Sequence, residues 1–126
     1  MSNLKQWTYP VEGGAPAVEV TIDADAFPSV VAADVPADLT WVLAVAQRPL
    51  AAAVFEETAA AVAWKTKPSW ALGAGADEAI NPEVERFGAE PAGATVVEIE
   101  GASHAVAVSH PEEVADLIRD AVRAMS

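Results

Sequence analysis

The hydrophobic and polar positions of this chain fall into a sharply patterned C-terminal half and a loosely patterned N-terminal half. Ser69 to Ala74 (SWALGA) and Thr95 to Ile99 (TVVEI) are short apolar runs bounded by turn residues. Such runs suit parallel strands buried on both faces. Between them Asn81 is a good N-cap, Pro82 a good first helical residue, and Glu83 and Glu85 sit in a positive first turn. Val84 and Phe87 are expected to face inward, and Pro91 and Gly93 to end the helix. A second helix is predicted from Pro111, capped by Ser109 or His110. Val114, Leu117, Ile118, Ala121, Val122 and Met125 form its apolar stripe. Asp116–Arg119 and Asp120–Arg123 pair on its wet face.

The N-terminal half is less regular. Residues 1–16 carry Pro10, Gly13, Gly14 and Pro16 and read as loop. Ala17 to Ile22 (AVEVTI) alternates Val18, Val20 and Ile22 against Glu19 and Thr21, the pattern of a half-exposed strand or extended arm. Phe27, Val30, Val31 and Asp34 suggest a turn or two of helix before Pro36. Leu39, Val42, Leu43 and Ala46 then share one face of a helix that begins at Pro36. Pro49 stops it and starts another, with Leu50, Ala53 and Val54 apolar. Residues 57–68 read as a connector. The expectation is a single incomplete α/β domain over 1–126: a helical, cap-like segment over 17–67, then a β-α-β-α unit with parallel strands over 68–126, joined by a right-handed crossover.

Composition narrows the function classes. Hydrophobic residues make up 52% of the 126, so disorder is not the default, although much of that share is alanine. A net charge of −12 makes nucleic acid and membrane surfaces poor partners. The absence of cysteine excludes disulfides, thiolate catalysis and Cys-ligated metal. With only two histidines, a structural zinc site would need carboxylates for half its ligands. Neither a metal nor an organic cofactor is expected. MSNLKQWTYPVEGG has no apolar signal region and no run is long enough to span a bilayer, so a cytoplasmic location is the default expectation.

The candidate chemistry lies at the ends of the two parallel strands. Asp77 follows the first, at the C-terminal edge where open α/β sheets place their ligands. His104 follows the second, after the small-residue turn Gly101-Ala102-Ser103. Taken alone, Asp77 is as well explained as a turn cap, Glu78 as a solvated charge, and His104 as a surface histidine. Their separation of one helix plus one strand is what brings two adjacent strand ends together. An acid that orients a histidine is part of the machinery of nucleophilic catalysis.

GADEAINPEVERF followed by EIEGASHAVAVSHPEEVADLI resembles the C-terminal part of the α/β-hydrolase superfamily. The pattern is strand, acid, D-x-x-I-x-P turn, helix, strand, then G-x-S/D-H. It is similar to small bacterial esterase-like hydrolases and, more distantly, to plant methylesterases and hydroxynitrile lyases. PLAAAVF through WKTKPSW resembles the end of the cap and the entry to the penultimate strand, and AFPSVVAADVP the start of that cap. The resemblance thus spans about residues 17–124. It implies that Asp77 is the triad acid and His104 the general base of an ester-type Ser-His-Asp hydrolase acting on a small-molecule ester.

Chain order in that fold is serine, acid, histidine, with the serine in a G-x-S-x-G elbow. The serines upstream of Asp77 are Ser2, Ser29 and Ser69, none in such a context. The His-Gly oxyanion segment is also absent, and Pro91 shortens a helix the family usually continues. Two readings follow. In one, the chain is the acid-and-base portion of a hydrolase, inactive alone and completed by an N-terminal half supplied by a separate chain or lost from this one. In the other, it is a non-catalytic relic that self-associates or binds a partner. A small acidic binding module unrelated to hydrolases is the third class.

Overall fold

Residues 3–126 are described by the structure, a computed structural model. The chain divides into two compact units. One contains the chain through Pro28 together with Pro36–Ala61; the other contains Ser29–Val35 and Val62–Ser126.

In the first unit the alternating segment forms β2 (Ala17–Ile22). It pairs antiparallel with β1 (Leu4–Tyr9), from Leu4 opposite Ile22 to Tyr9 opposite Ala17. The loop expected over residues 1–16 is therefore corrected over 4–9. LKQWTY lacks alternation of its own and is held as a strand by the hydrogen bonds β2 offers. The turn residues belong to the connection that follows, where Gly13 takes φ 73°. On the other edge of β2 lies β3 (Leu50–Ala51), with Ala52–Phe55 forming a single 3₁₀ turn after it. A helix was the expectation there. A short Ala-rich segment gains little from helix formation alone, and pairing with β2 decides its conformation.

α2 (Ala37–Ala46) has Pro36 as its N-cap residue and, apart from Asp38 and Thr40, is apolar on every side. That is why sequence periodicity selects the wrong face. Thr40 and Ala44 are buried, whereas Leu39 and Val42 of the predicted face are exposed. Small side chains permit close approach, and Thr40 Oγ1 satisfies its buried proton on the Pro36 carbonyl at 3.1 Å. Just past this helix, the Gln47 amide accepts from Ile22 N–H and donates to Ile22 C=O, both at 2.8 Å, closing the end of β2.

The second unit is built on β4 (Trp70–Ala74) and β5 (Thr95–Ile99), paired parallel from Trp70 opposite Thr95 to Ala74 opposite Ile99. Both strands fall where the apolar runs place them, but the burial expected on both faces is corrected for β5, whose Val96 and Val97 are exposed. α1 (Phe27–Val31) carries the chain into this unit, whose core includes Val31, Ala32, Val35, Ala74 and Ala102. α3 (Pro82–Ala89) starts as expected: Asn81 Oδ1 accepts from Glu83 N–H at 2.9 Å, and Pro82 occupies the first turn. It ends before Pro91, and Gly93 follows at φ 56°. Its inner face, however, is Pro82, Glu85 and Ala89, with Glu85 accepting from Ala74 N–H of β4 at 3.2 Å. Val84 and Phe87 point outward, Phe87 being 74% exposed. Capping and the Glu85 bond set the rotation of this helix, and its apolar residues do not.

Arg86 fastens α3 to β5 through two 2.7 Å bonds to the Glu98 carboxylate. Those bonds hold the Glu98 carboxyl below its ordinary range and raise the guanidinium. α4 (Val106–Ser109), a single turn that the sequence does not announce, precedes α5 (Pro111–Ala124). Both ion pairs expected on α5 are formed. On its apolar stripe Val114, Leu117 and Ala121 are half-buried, whereas Ile118, Val122 and Met125 are exposed. No helix among the described residues is long and apolar enough to cross a membrane. The α/β class holds. Within 17–67 the two helices α1 and α2 are accompanied by strands β2 and β3.

Candidate active site

The ends of β4 and β5 converge through their backbones. Gly75 N–H donates to Ile99 C=O and Ala76 N–H to Ala102 C=O, each at 2.9 Å. This approach is close enough to require glycine. A Cβ on Gly75 would lie 3.0 Å from Ile99 O and 3.2 Å from Glu100 Cα. On the opposing side Gly101 takes φ 77°, turning the chain sharply after β5. The two turns therefore emerge side by side, one carrying Asp77 and the other His104.

They meet. His104 Nδ1 lies 2.7 Å from Asp77 Oδ2. The Asp77 side chain is fully buried and that of His104 is 40% exposed. The other carboxylate oxygen, Oδ1, accepts from Ala79 N–H at 2.7 Å and Ile80 N–H at 2.9 Å. Asp77 is thus both turn cap and histidine partner, so the two explanations of this residue describe its two oxygens. Its carboxylate accepts three hydrogen bonds, an arrangement suited to the ionised form. An ionised acceptor on Nδ1 selects the tautomer with the proton on Nδ1 and leaves Nε2 to exchange a proton.

The chain on either side of His104 is anchored. Ala105 N–H donates to Val31 C=O at 2.7 Å. Ser103 is buried, and its N–H donates to Asp34 Oδ2 at 3.1 Å. Ser103 Oγ lies within reach of both Val31 C=O, at 3.0 Å, and the Asp34 carboxylate, which share its single proton. Burial raises the Asp34 carboxyl, but hydrogen bonds from Ser103 and Ser109 outweigh it and hold the group below its ordinary value.

His110, expected at the entry of the last helix, stands at the N-cap position of α5. Its Nδ1 lies 2.9 Å from Ser109 Oγ and 3.6 Å from Asp34 Oδ2. It belongs to this anchoring cluster and not to the Asp77 pair. Sequence reading places Asp34 only as part of a helical turn. Its one available signal was a carboxylate two residues before Pro36 that no neighbouring cation explains.

Of the other candidates, Glu78 is exposed beside Asp77. Ser69 lies at the entry of β4, the opposite end of that strand from Asp77, with its Oγ 3.4 Å from Lys67 C=O. Ser29 lies within α1, and Ser2 falls outside the described residues. No group of three or more His, Asp or Glu side chains among the described residues is arranged to hold a metal ion.

The sequence profile of the alpha/beta hydrolase family matches residues 3–117. A crystal structure of polyneuridine aldehyde esterase is similar with a TM-score of 0.79 at 18% identity, covering 95% of this chain and 49% of that one. A mutant of the same enzyme gives 0.76 at 15% identity, covering 94% and 48%. At these identities the likeness is one of fold. The chain spans about half the length of those structures. No curated protein matches significantly.

Proposed function

The chain belongs to the alpha/beta hydrolase family, and from that premise we propose that it carries the acid and the general base of an ester-hydrolysing Ser-His-Asp triad. The observation that carries this reading is the 2.7 Å contact between His104 Nδ1 and the buried Asp77 carboxylate at the converging ends of two parallel strands. In this reading Asp77 holds the imidazole in the Nδ1–H tautomer and stabilises the imidazolium. His104 Nε2 takes the proton of a serine hydroxyl as that oxygen attacks the ester carbonyl, then returns it to the departing alkoxide. The serine comes from an N-terminal half that bears a G-x-S-x-G elbow, and the substrate is a small ester. The residual chemistry expected without a serine is weak, since loss of a triad nucleophile costs about 10⁶ in turnover.

A non-catalytic relic is the second reading. The apolar residues left open on α3 and α5, Phe87 and Ile118 among them, favour it. A serine-directed fluorophosphonate distinguishes the two. Mixed with a chain that supplies the elbow-bearing half, the wild-type protein should accelerate labelling of the partner's serine, and His104→Ala should abolish the acceleration. Labelling indifferent to His104 would leave the relic reading standing.

A further inference from the structure

Asp34 lies 69 residues before Ser103 in the chain, yet its carboxylate receives both polar groups of that residue: the backbone N–H at 3.1 Å and the hydroxyl. Three residues earlier, Val31 C=O receives Ala105 N–H at 2.7 Å and the same hydroxyl at 3.0 Å. The residues immediately before and after His104 are therefore both tied to one short segment, Val31–Asp34. That segment belongs to the same compact unit as β4 and β5. His104 itself is 40% exposed at its side chain, and among the described residues its side-chain hydrogen bond is the one to Asp77. An imidazole hydrogen-bonded at one nitrogen depends for its aim on the backbone that carries it as well as on that bond.

We propose that Asp34 is a positioning residue for His104, acting through Ser103. The inference rests on the reading of Asp77 and His104 as acid and base, and extends it to the group that sets their register. A charged acceptor suits this task. Hydrogen bonds to an ionised carboxylate are shorter and about twice as strong as neutral ones. Here one carboxylate restrains both the backbone and the side chain of the residue next to the base. The cluster also explains Ser109 and His110, which close around the same carboxylate. Loss of Asp34 would leave the buried Ser103 N–H without its acceptor, and the turn that aims His104 would relax toward whatever partner it finds.

The test reads the histidine and not only the fold. Long-range ¹⁵N–¹H correlation on the full chain, labelled at histidine, reports which ring nitrogen carries the proton. Wild type should show His104 predominantly as the Nδ1–H tautomer, and Asp77→Asn should lose it. Asp34→Ala should also lose it, moving His104 to the Nε2–H form with Asp77 intact. Ser103→Ala retains the backbone N–H bond and should lose it in part. Asp34→Asn, which keeps one carbonyl acceptor in place, should restore a major share of the wild-type signal, and Ser103→Ala covers the case in which Asp34→Ala fails to fold. If wild type lacks the Nδ1–H tautomer, the acid–base reading itself fails and the positioning role with it. If wild type shows it and Asp34→Ala, or Ser103→Ala where Asp34→Ala does not fold, retains it unchanged, the positioning role alone is overturned.

Discussion

Replacing Asp77 in two ways separates its two jobs. Asp77→Ala removes the acceptor of three hydrogen bonds: Ala79 N–H, Ile80 N–H and His104 Nδ1. The two backbone donors belong to exposed residues, so water can partly replace the carboxylate for them. Their loss then resembles removal of a helix or turn cap, about 0.5–2 kcal/mol. The His104 bond is charge-assisted in its buried half only, and its loss adds about 1 kcal/mol. The sum is about 2 kcal/mol, a drop in melting temperature of roughly 5–10 °C for a chain of this size.

Asp77→Asn should differ. Its Oδ1 can still cap Ala79 and Ile80, so the stability loss should stay under about 1 kcal/mol. Its amide, however, presents a donor to His104 Nδ1 and should force the proton onto Nε2. Thermal unfolding followed by circular dichroism measures the first effect, and the His104 tautomer measures the second. The reasoning fails if the asparagine variant is as unstable as the alanine variant, because Oδ1 would then not be the turn cap. It fails equally if His104 keeps its proton on Nδ1 in the asparagine variant.

Two further predictions concern what holds the pair together. Gly75→Ala places a Cβ against Ile99 O and Glu100 Cα, backbone atoms that cannot swing aside. It should cost about 1–3 kcal/mol in urea unfolding, and loss of His104's Nδ1–H tautomer should accompany it; an unchanged midpoint would contradict the close approach. Asp34, whose carboxyl titrates below its ordinary 3.8, should contribute stability that is present above that value and lost as pH falls through the lower folded value. Wild type should therefore lose more stability between about pH 5 and about pH 3 than Asp34→Asn does, and parallel curves for the two proteins would refute it.

Much of the site was legible because it is made of local signals. Asn81-Pro82 announces a helix start, TVVEI and WALGA announce parallel strands, and Gly101-Ala102-Ser103 announces the small-residue turn that presents His104. Asp77 and His104 followed from the topology those signals imply. Three features resisted for a common reason. β1 exists because β2 offers it a partner, α2 buries Thr40 and Ala44 because small residues permit close packing, and Asp34 matters because of Ser103, 69 residues away. Each is decided by contacts distant in sequence, and hydrophobic periodicity carries no information about them. Phe87 and Val84 show the same limit from the other side. The stripe they suggest is overruled by a cap and by one carboxylate reaching Ala74 N–H.

The central claim is that Asp77 and His104 act as acid and base for a serine delivered by a complementary half. Turnover of a short-chain nitrophenyl ester by the reassembled protein tests it most directly. The wild-type chain should confer turnover, His104→Ala should abolish it, and Asp77→Asn should reduce it by about 10⁴ with the fold intact. Turnover that survives His104→Ala at the wild-type rate would contradict the account.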